Sequence, residues 1–402
     1  MFVGDFMKLI LREEYLNKLI NVIGTPDIKV ITGIRRSGKS KLLEELKKYI
    51  INTNKNANII HINYNLSKFE EVNTYKKLYE YVENNYKENM DNYILIDEIQ
   101  MCEGFEKAIN GFHAEEKFDI YITGSNAFLM SSDLATLFTG RTFKVEIFPF
   151  SFKEFIKYYE YSDVQEAFDK YVREGRYGRF ILYFKQEDKY KYLRDVFNTL
   201  VIRDIKQKYK IRNIDVIQNL VNYLMDNISN LTSSNNITKV LNSNNVSITN
   251  KTIDNYIYYL CNAFAFYKIK RFDLKGKKYL STQNKYYLAD HAFRFSLLGT
   301  SNMDFGRVYE NIVAIELLRR GYEVYVGTLY KKEIDFVAKK QGQLIYIQVS
   351  DNISDEKTLR REIESLLKIQ DAYPKYIIAR TRHENYQIEG IEVIDIANWL
   401  LK

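Results

Sequence analysis

Eight consecutive residues carry the strongest structural signal in the chain, and they read Gly33-Ile34-Arg35-Arg36-Ser37-Gly38-Lys39-Ser40. Two glycines five residues apart, followed by Lys-Ser, fit the pattern of a phosphate-binding loop (P-loop). The preceding run from Ile28 to Thr32 is apolar and typical of a buried strand, and Lys41 to Ile50 carries apolar side chains at helical spacing. The sequence therefore predicts a loop between a strand and a helix, the context in which such a loop binds phosphate.

The loop has the chemistry of an ATP site. Glycine lets the backbone aim successive N–H groups at a phosphate, and the N-terminus of the next helix adds partial positive charge. We expect Lys39 to reach the outer phosphates and the Ser40 hydroxyl to be a Mg²⁺ ligand. The residues predicted to contact the nucleotide are Gly33, Ile34, Arg35, Arg36, Ser37, Gly38, Lys39, Ser40 and Lys41. The alternative is a chance glycine-rich turn.

A second stretch, from Tyr93 to Glu98, is an apolar strand that ends in two carboxylates. We expect this strand to neighbour the strand that leads into the loop. Asp97 would then hold Mg²⁺ directly or through water, and Glu98 would polarise the attacking water. The alternative is a buried strand with a solvated acidic end. Finding both motifs in this order makes ATP hydrolysis the better interpretation.

Two further positions are candidates for catalysis. Phe118 to Thr123 is another buried strand, and Ser125 or Asn126 just beyond it could contact the γ-phosphate, although both residue types are also common in plain turns. Arg141 could stabilise charge in the transition state, either in its own subunit or in a neighbouring one. A surface ion pair is the alternative for Arg141.

Length and composition limit the class of protein. A chain of 402 residues has room for about two to four domains, and alternating strands and helices predict a parallel sheet with helices on both faces. No run of about 18 apolar residues occurs, so we expect no membrane span. Two cysteines far apart in sequence favour a reducing, cytoplasmic setting without disulfides.

The positive charge is concentrated in the middle of the chain. Residues 151–300 carry 25 basic and 15 acidic side chains, an excess of ten, whereas the segments on either side are slightly acidic. A local excess of this sign favours a polyanionic partner such as DNA. A general richness in lysine is the alternative explanation.

Residues 213–300 predict a winged helix, which is three helices followed by a basic β-hairpin. The third predicted helix, Lys251 to Cys261, would read DNA. Side chains expected to face the DNA are Asn250, Lys251 and Asn255 on this helix and Lys275, Lys277 and Lys278 on the hairpin. The alternative is that this module packs against the ATPase or a partner protein.

Residues 301–402 have the α/β order of a restriction-endonuclease-like fold, with Glu310 on a helix and Asp335 on a strand. Such nucleases use an acidic residue, any residue and then lysine on the third strand. Here those positions read Gln348-Val349-Ser350, so that an amide replaces the acid and a hydroxyl replaces the lysine. Only Glu310, Glu333 and Asp335 could still gather a metal, and a folded but inactive remnant is the better interpretation.

Taken together, these motifs resemble a widespread family of largely uncharacterised prokaryotic ATP-binding proteins. Its members join an AAA-type ATPase to a winged helix and a nuclease-like C-terminal region. The stretches that carry the resemblance are Gly33–Ser40, Tyr93–Gln100, Tyr121–Asn126, Gly140–Arg141, Pro149–Phe155, Lys285–Asp290 and Glu333–Val337. The resemblance implies phosphate contacts for Lys39 and Ser40, and roles with Mg²⁺ and water for Asp97 and Glu98.

The predicted organisation has four parts, namely an AAA-type P-loop ATPase domain (1–155), a helical lid or linker (156–212), a winged helix (213–300) and an inactive nuclease-like domain (301–402). The predicted function is an ATP- and Mg²⁺-dependent switch whose nucleotide state controls the later domains, with DNA bound through residues 213–300. A nucleotide-gated scaffold with negligible turnover is the alternative, and an ATP-driven nuclease is a weaker one. A protein partner or a second copy of the chain is also expected.

Overall fold

The computed structural model describes residues 10–124, 138, 140–177, 183, 185–211, 213–243, 248–300, 303–330 and 332–402. The chain divides into two compact units, Met1–Phe148 and Pro149–Lys402. The four-part division expected from the sequence stays a prediction. Across the described ranges, no helix combines the length and the apolar character needed to cross a bilayer.

The first unit alternates helices and strands. In chain order its elements are α1 (Glu13–Ile20), β1 (Ile28–Gly33), α2 (Lys39–Thr53), β2 (Ala57–Asn63), α3 (Tyr75–Asn85), β3 (Asp91–Asp97), α4 (Phe105–Glu115), β4 (Phe118–Thr123) and β5 (Thr142–Ile147). The five strands form one parallel sheet in the order β2-β3-β4-β1-β5. The predicted α/β fold with a parallel sheet is therefore confirmed.

One expectation about this sheet is wrong. The strand that ends in Asp97 does not neighbour the loop strand, because β4 lies between β3 and β1. Strand β1 pairs with β4 through Lys29 and Tyr121, and β4 pairs with β3 through Ile120 and Ile94. Order along the chain does not fix order across a parallel sheet, since each crossover can skip a position.

Apolar side chains on both faces of the sheet hold the loop strand rigidly. All six residues of β1 are buried. On one face Ile31 packs in a core with Leu42, Leu43 and Leu46 of α2, and on the other face Val30 packs in a core that includes Ile122. A strand buried on both faces reads as a continuous apolar run, which explains why it was recognisable in the sequence.

The second unit begins with helices and ends in a mixed sheet. Its first half contains α5 (Phe152–Tyr159), α6 (Val164–Glu174), α7 (Gln186–Asp195), a π-helix (Val196–Ile202), α8 (Arg203–Tyr209), α9 (Ile214–Asp226), α10 (Ser234–Ser243) and α11 (Asn250–Asn262). Its second half contains β6 (Phe266–Asp273), β7 (Lys278–Leu288), α12 (Ala292–Leu298), α13 (Phe305–Arg319), β8 (Glu323–Leu329), β9 (Lys332–Lys340), β10 (Gln343–Ser350), α14 (Glu356–Leu367), β11 (Lys375–Ala379), β12 (Tyr386–Ile388), β13 (Ile391–Asp395) and α15 (Ile396–Leu401).

The hairpin of the expected winged helix belongs to the same sheet as the C-terminal region. Strand order is β12-β13-β11-β10-β9-β8-β6-β7, and β6 pairs in parallel with β8 from Arg271 to Asp273. Three helices and a hairpin do occur in the expected order, but the strand pairing runs across the boundary placed at residue 300. The winged-helix interpretation itself stays a prediction.

Candidate nucleotide-binding site

The P-loop lies at the carboxyl edge of the parallel sheet, between the end of β1 and the start of α2. Gly33 has φ +133°, and a Cβ atom there would lie 2.2 Å from the Ile147 carbonyl oxygen of β5, so no other residue fits. Gly38 has φ +102° and precedes the first turn of α2. The two glycines thus let the backbone turn tightly around a space at the helix N-terminus.

Lys39 is buried within the loop. Its Nζ atom donates hydrogen bonds to the carbonyl oxygens of Gly33 at 3.0 Å and Ile34 at 3.2 Å. The ammonium is therefore held inside the turn that the motif predicts for phosphate. Two other basic residues of the motif differ in exposure, since Arg35 is half-buried and Arg36 is exposed.

The side chain of Lys41 does not point into the loop. It forms an exposed ion pair with Glu44 at 2.7 Å, one turn further along α2. Because the Lys41 side chain is engaged on the surface, we expect any contact with a nucleotide to come from its backbone.

Arg12 supports the loop and was missed by the sequence reasoning. Its guanidinium donates hydrogen bonds of 2.9 Å to the carbonyl oxygens of Ser37 and Phe148, and the side chain is almost fully buried just before α1. Its partners are main-chain carbonyls far along the chain, which no residue pattern can reveal. Arg12 therefore fixes one wall of the loop from outside the motif.

Asp97 lies at the end of β3 with its carboxylate directed at the loop region. Its Oδ1 atom accepts a short hydrogen bond from the Thr123 hydroxyl of β4, and the Ser40 hydroxyl also stabilises the charged carboxylate. Oδ2 is buried and has no hydrogen-bond partner in the described part of the chain. Burial raises the pKa of Asp97, whereas the two hydroxyls act in the opposite direction.

These oxygens fit the cation that the motif implies. Mg²⁺ prefers oxygen ligands and is commonly held by one or two protein groups together with phosphate oxygens. The Ser40 hydroxyl and the unpartnered Oδ2 atom of Asp97 supply such a set at the carboxyl edge of the sheet. An unpartnered buried carboxylate oxygen is costly unless something else binds it, so the donor set suits a cation.

Glu98 follows Asp97 in a left-handed backbone conformation with φ 60°. Its N–H donates to the Thr123 hydroxyl oxygen at 3.2 Å, and its half-buried carboxylate accepts a hydrogen bond from the Gln100 side-chain amide. Left-handed residues other than glycine are uncommon and tend to cluster at functional sites. The chain therefore turns at Glu98, directly after the end of β3. The Thr123 hydroxyl nevertheless contacts both acidic residues, through the Glu98 N–H and the Asp97 carboxylate.

Thr123 is therefore the residue at the end of β4 that the structure brings into the site. Sequence reasoning chose Ser125 or Asn126, and both lie outside the described residues, so that their roles stay predictions. The signal for Thr123 was a hydroxyl at the end of an otherwise apolar strand. It was overlooked because a threonine inside a strand reads as an ordinary β-forming residue.

Arg141 is exposed and lies at the opposite edge of the sheet. Its carbonyl oxygen accepts a hydrogen bond of 2.9 Å from the N–H of Ile28, which begins β1, whereas the P-loop follows the end of that strand. Six residues of parallel strand span roughly 17 Å. Within one chain Arg141 thus lies away from the loop, and only its role toward a neighbouring subunit stays a prediction.

The carboxylates of the C-terminal region form a second cluster, which we call the lysine–carboxylate cluster: Lys285, Glu310, Glu333 and Asp335. The Lys285 ammonium lies 2.8 Å from Glu310, 2.7 Å from Glu333 and 3.6 Å from Asp335. Throughout the described residues no group of three or more His, Cys, Asp or Glu side chains could hold a metal ion. The expectation that these three acids could gather a metal is therefore contradicted, and the Lys285 ammonium from the hairpin strand β7 pairs with all three instead.

The charged groups in this cluster shift one another's pKa values. Burial raises the pKa of Asp335 to about 8, and the Glu310 carboxylate adds to the effect. Burial alone would lower the pKa of Lys285, but the carboxylates, Glu310 above all, outweigh it and raise that pKa. The Tyr287 hydroxyl donates a further hydrogen bond to Glu310 at 2.6 Å.

Gln348 has a hydrogen-bonding role that an acid could not fill. Its Oε1 atom accepts from the N–H of Asp335, and its Nε2 atom donates to the Glu362 carboxylate, both at 2.7 Å. A carboxylate at this position could accept but could not donate. Ser350 donates instead to the carbonyl oxygen of Asn352 at 3.1 Å.

Comparison with known proteins places three family models along the chain. An AAA domain matches residues 25–156, the domain of unknown function DUF8612 matches residues 165–304, and the domain of unknown function DUF4143 matches residues 305–399. An uncharacterised protein of Haemophilus influenzae is 37% identical over 399 residues, with 98% of this chain and 99% of the relative covered. An uncharacterised protein of Methanocaldococcus jannaschii is 28% identical over 419 residues, covering 98% of this chain and 90% of that protein.

Two solved structures align with this chain, both with low TM-scores. AMPPCP-bound DnaA from Aquifex aeolicus aligns with a TM-score of 0.33 at 16% identity, covering 63% of this chain and 89% of that one. The Hsp104:casein complex of S. cerevisiae aligns with a TM-score of 0.30 at 17% identity, covering 49% of this chain and 39% of that one.

Proposed function

The chain belongs to the family of AAA-domain proteins that includes the Haemophilus influenzae relative, and from this premise we propose that it is a Mg²⁺-dependent ATPase. In this proposal, the nucleotide state of the first unit controls a DNA-associated second unit. The observation that carries the proposal is the buried Oδ2 atom of Asp97, which lacks a hydrogen-bond partner while the Ser40 hydroxyl stabilises the same carboxylate.

Lys39 and the loop backbone would bind the phosphates. The Lys39 ammonium donates hydrogen bonds to two loop carbonyls, and this position within the loop supports the phosphate contact that the motif assigns to it. Binding of a triphosphate would exchange those carbonyls for phosphate oxygens, which are stronger partners because they are charged. Arg12 would keep the loop open by holding the Ser37 carbonyl.

Asp97 and Glu98 would have different roles, one in binding the metal and the other in activating water. Ser40 and Asp97 would hold Mg²⁺, which when bound neutralises charge on the phosphates. Glu98 would orient and polarise the attacking water, once its carboxylate leaves Gln100. Thr123 would set the spacing between the two acids through its hydroxyl, which donates to Asp97 and accepts from the Glu98 N–H.

Steady-state ATP turnover by the full chain tests this proposal. Lys39→Ala should abolish both binding of ATP and turnover, and Glu98→Gln should abolish turnover while binding persists. Lys48→Ala, an exposed lysine on the same helix, is the matched control and should behave like the unmodified protein. Unchanged turnover in the Lys39→Ala variant would show that the proposal is wrong.

DNA contact through the second unit rests on helix α11. Its apolar residues Ile253, Ile257 and Leu260 are buried, whereas Asn250, Lys251 and Asn255 are exposed. The helix therefore presents its polar side chains on a face open to a partner, as a recognition helix requires. Binding of duplex DNA that weakens with salt, and weakens further in a Lys251→Ala variant, would support the contact. A flat salt response would contradict it.

A nucleotide-gated scaffold with negligible turnover is the second candidate. The hydrogen bond from Gln100 to the Glu98 carboxylate favours it, because it engages one of the two oxygens with which Glu98 would polarise water. Under the scaffold hypothesis, Glu98→Gln should leave partner binding and its response to ATP unchanged. Under the ATPase hypothesis, the same variant should trap the ATP-dependent state.

A further inference from the structure

A groove in the second unit has no role in the proposed ATPase mechanism. Its walls come from the β6–β7 turn, the β8–β9 turn and the segment that follows α14, and it encloses about 1170 Å³. We call it the tyrosine–lysine groove after four of its lining residues, Lys275, Lys277, Tyr330 and Lys368. The hairpin lysines that the sequence assigned to a DNA-contacting wing therefore lie at the mouth of a concave surface.

The groove combines an apolar floor with a cationic rim. Leu329, Tyr346 and Ile369 line it and are buried. Lys277 and Lys368 are exposed, and neither forms an ion pair within the described residues. Such lysines at a concave surface raise the local positive potential and attract polyanions.

The negative charge that lines the groove is paired with neighbouring groups of the chain. Asp371 is the only acidic residue among the described lining residues, and it accepts a hydrogen bond of 2.6 Å from the Tyr346 hydroxyl and lies 3.7 Å from the Lys375 ammonium. Its charge is therefore largely offset by a lysine of its own. The groove as a whole remains positive.

Tyr330 at the β8–β9 turn is unusual in two respects. Its side chain is 68% exposed, and its backbone is left-handed with φ 56°, which is a rare conformation for a bulky residue. The Lys275 ammonium lies 4.8 Å from the centre of its ring. The ring is therefore largely open to solvent and can contact a ligand.

The charge and the exposed aromatic ring of the groove, rather than its volume, indicate the kind of ligand it binds. A positive groove with exposed aromatic rings is the arrangement that binds single strands of nucleic acid, because phosphates pair with lysines while bases stack on rings. An acidic peptide would use the lysines but not the tyrosine.

We propose that the tyrosine–lysine groove binds single-stranded nucleic acid, with Lys277 and Lys368 contacting phosphates and Tyr330 stacking on a base. The inference rests on the nucleic-acid part of the proposed function and does not require ATP turnover. It also differs from duplex recognition by α11, since the groove residues lie on the hairpin turn and the C-terminal sheet.

The test is fluorescence anisotropy of the full chain with a labelled oligothymidine of roughly 20 nucleotides at several salt concentrations. Lys277→Glu/Lys368→Glu should weaken binding at least about tenfold and lower the salt slope by about 1.4, since each phosphate contact in a single strand contributes about 0.7. The matched control, Lys48→Glu/Lys357→Glu, reverses two exposed lysines outside the groove and should leave binding unchanged.

Tyr330 separates stacking from charge. Tyr330→Ala should weaken binding about fivefold or more without changing the salt slope, and Tyr330→Phe should retain it, because the ring stacks and the hydroxyl does not. A merely electrostatic surface would respond to neither tyrosine variant, and that result would overturn the stacking contact. Displacement of the oligonucleotide by polyglutamate as readily as by unlabelled oligothymidine would overturn the nucleic-acid assignment.

Two further results would overturn the proposal. One is no retention of oligothymidine by the unmodified chain at low salt, and the other is an equal loss of binding in the lysine control. ATP turnover measured on the same preparations separates this proposal from the ATPase. Turnover without oligonucleotide binding would refute only the groove, and groove-dependent binding without turnover would refute only the ATPase.

Discussion

Two clusters of carboxylates, one in each unit, differ in how their charge is balanced. In the first unit, the Oδ2 atom of Asp97 is buried without a hydrogen-bond partner in the described structure, and hydroxyls rather than cations contact the carboxylate. In the second unit, Glu310, Glu333 and Asp335 surround the Lys285 ammonium. The second cluster contains a cation within the chain, whereas the first is the one at which we propose that Mg²⁺ binds.

The difference lies in whether a cationic side chain or only a hydroxyl group contacts the buried carboxylate in the described structure. Buried carboxylates need a counter-charge or hydrogen bonds. In the second unit Lys285 supplies this counter-charge through direct ion pairs. In the first unit hydroxyl groups and the Lys39 charge favour the ionised form of Asp97, and the proposed Mg²⁺ would add to them. The position of a lysine, rather than the number of acids, thus distinguishes the two clusters.

The largest expected effect tests the first cluster. Asp97→Asn should reduce Mg²⁺-dependent ATP turnover by about 100-fold or more, because it removes a charged ligand of the metal from a buried site. Asp335→Asn, the same change in the second cluster, should leave turnover unchanged. Equal losses of turnover in the two variants would erase the distinction between the clusters.

The second prediction concerns the loss of Lys285, the cation of the second cluster, and its effect on stability. Lys285→Met should lower the free energy of unfolding of the second unit by about 3–5 kcal/mol, because it leaves buried carboxylates without a counter-charge. The single tryptophan, Trp399, is buried in this unit and reports its unfolding in urea by fluorescence.

Two variants control this measurement. Lys285→Met/Glu310→Gln should recover part of the stability, because it removes one of the uncompensated charges. Lys270→Met alters an exposed lysine of the neighbouring strand β6 and should change stability by less than about 0.5 kcal/mol. A Lys285→Met variant as stable as this control would mean that the lysine is not the counter-charge.

The pH dependence of the second cluster should be smaller, because Lys285 offsets part of the charge. Burial raises the pKa of Asp335 to about 8 in the folded chain, against about 3.9 in an unfolded chain. The folded state thus binds the proton more tightly, so this contribution to stability is complete below about pH 4 and is lost as pH rises to about 8.

Urea unfolding followed through Trp399 at pH 5 and pH 8 measures this loss. In the Asp335→Asn variant that part of the pH dependence should disappear, because the amide does not titrate. A second unit that becomes more stable between these pH values, with an unchanged profile in Asp335→Asn, would show that Asp335 is ionised throughout.

The smallest expected effect concerns Gln348. Gln348→Glu should destabilise the second unit by about 1–2 kcal/mol. The substitution removes the amide N–H that donates to Glu362 and places two carboxylates in contact. Gln348→Glu/Glu362→Gln exchanges the two groups, restores a donor and should recover part of the loss. Gln343→Glu on the exposed start of β10 is the control and should have no effect. No recovery in the exchanged variant would show that the amide is not needed as a bridge.

Much of the first unit was predictable from local patterns. The strand before the loop and the helix after it were recognisable because β1 is buried on both faces and α2 on one. Asp97 was recognisable for the same reason, as the carboxylate at the end of an apolar run. The place of β4 between β3 and β1 was not, because strand order depends on crossovers that leave no local signal.

In the second unit, the search for a lysine on strand β10 found only Ser350. The structure supplies Lys285 from β7, which lies 65 residues before Ser350 in the chain but contacts the acids in the fold. A spacing rule can detect only partners that share an element, and this pair shares none. The same limit explains why Arg12 was missed and why the sequence left open a role for Arg141 within its own subunit.

The sequence by itself determined the chemistry available along each element: a glycine-rich turn with Lys39 and Ser40, an acid at the end of a strand, and basic side chains on the hairpin. Only the tertiary structure decided which of these groups meet. It left Asp97 with an unpartnered oxygen, gave the C-terminal acids a lysine, and placed the hairpin lysines at a groove. The physical reason is that side-chain type follows from local sequence, whereas the balance of buried charge depends on contacts between distant strands.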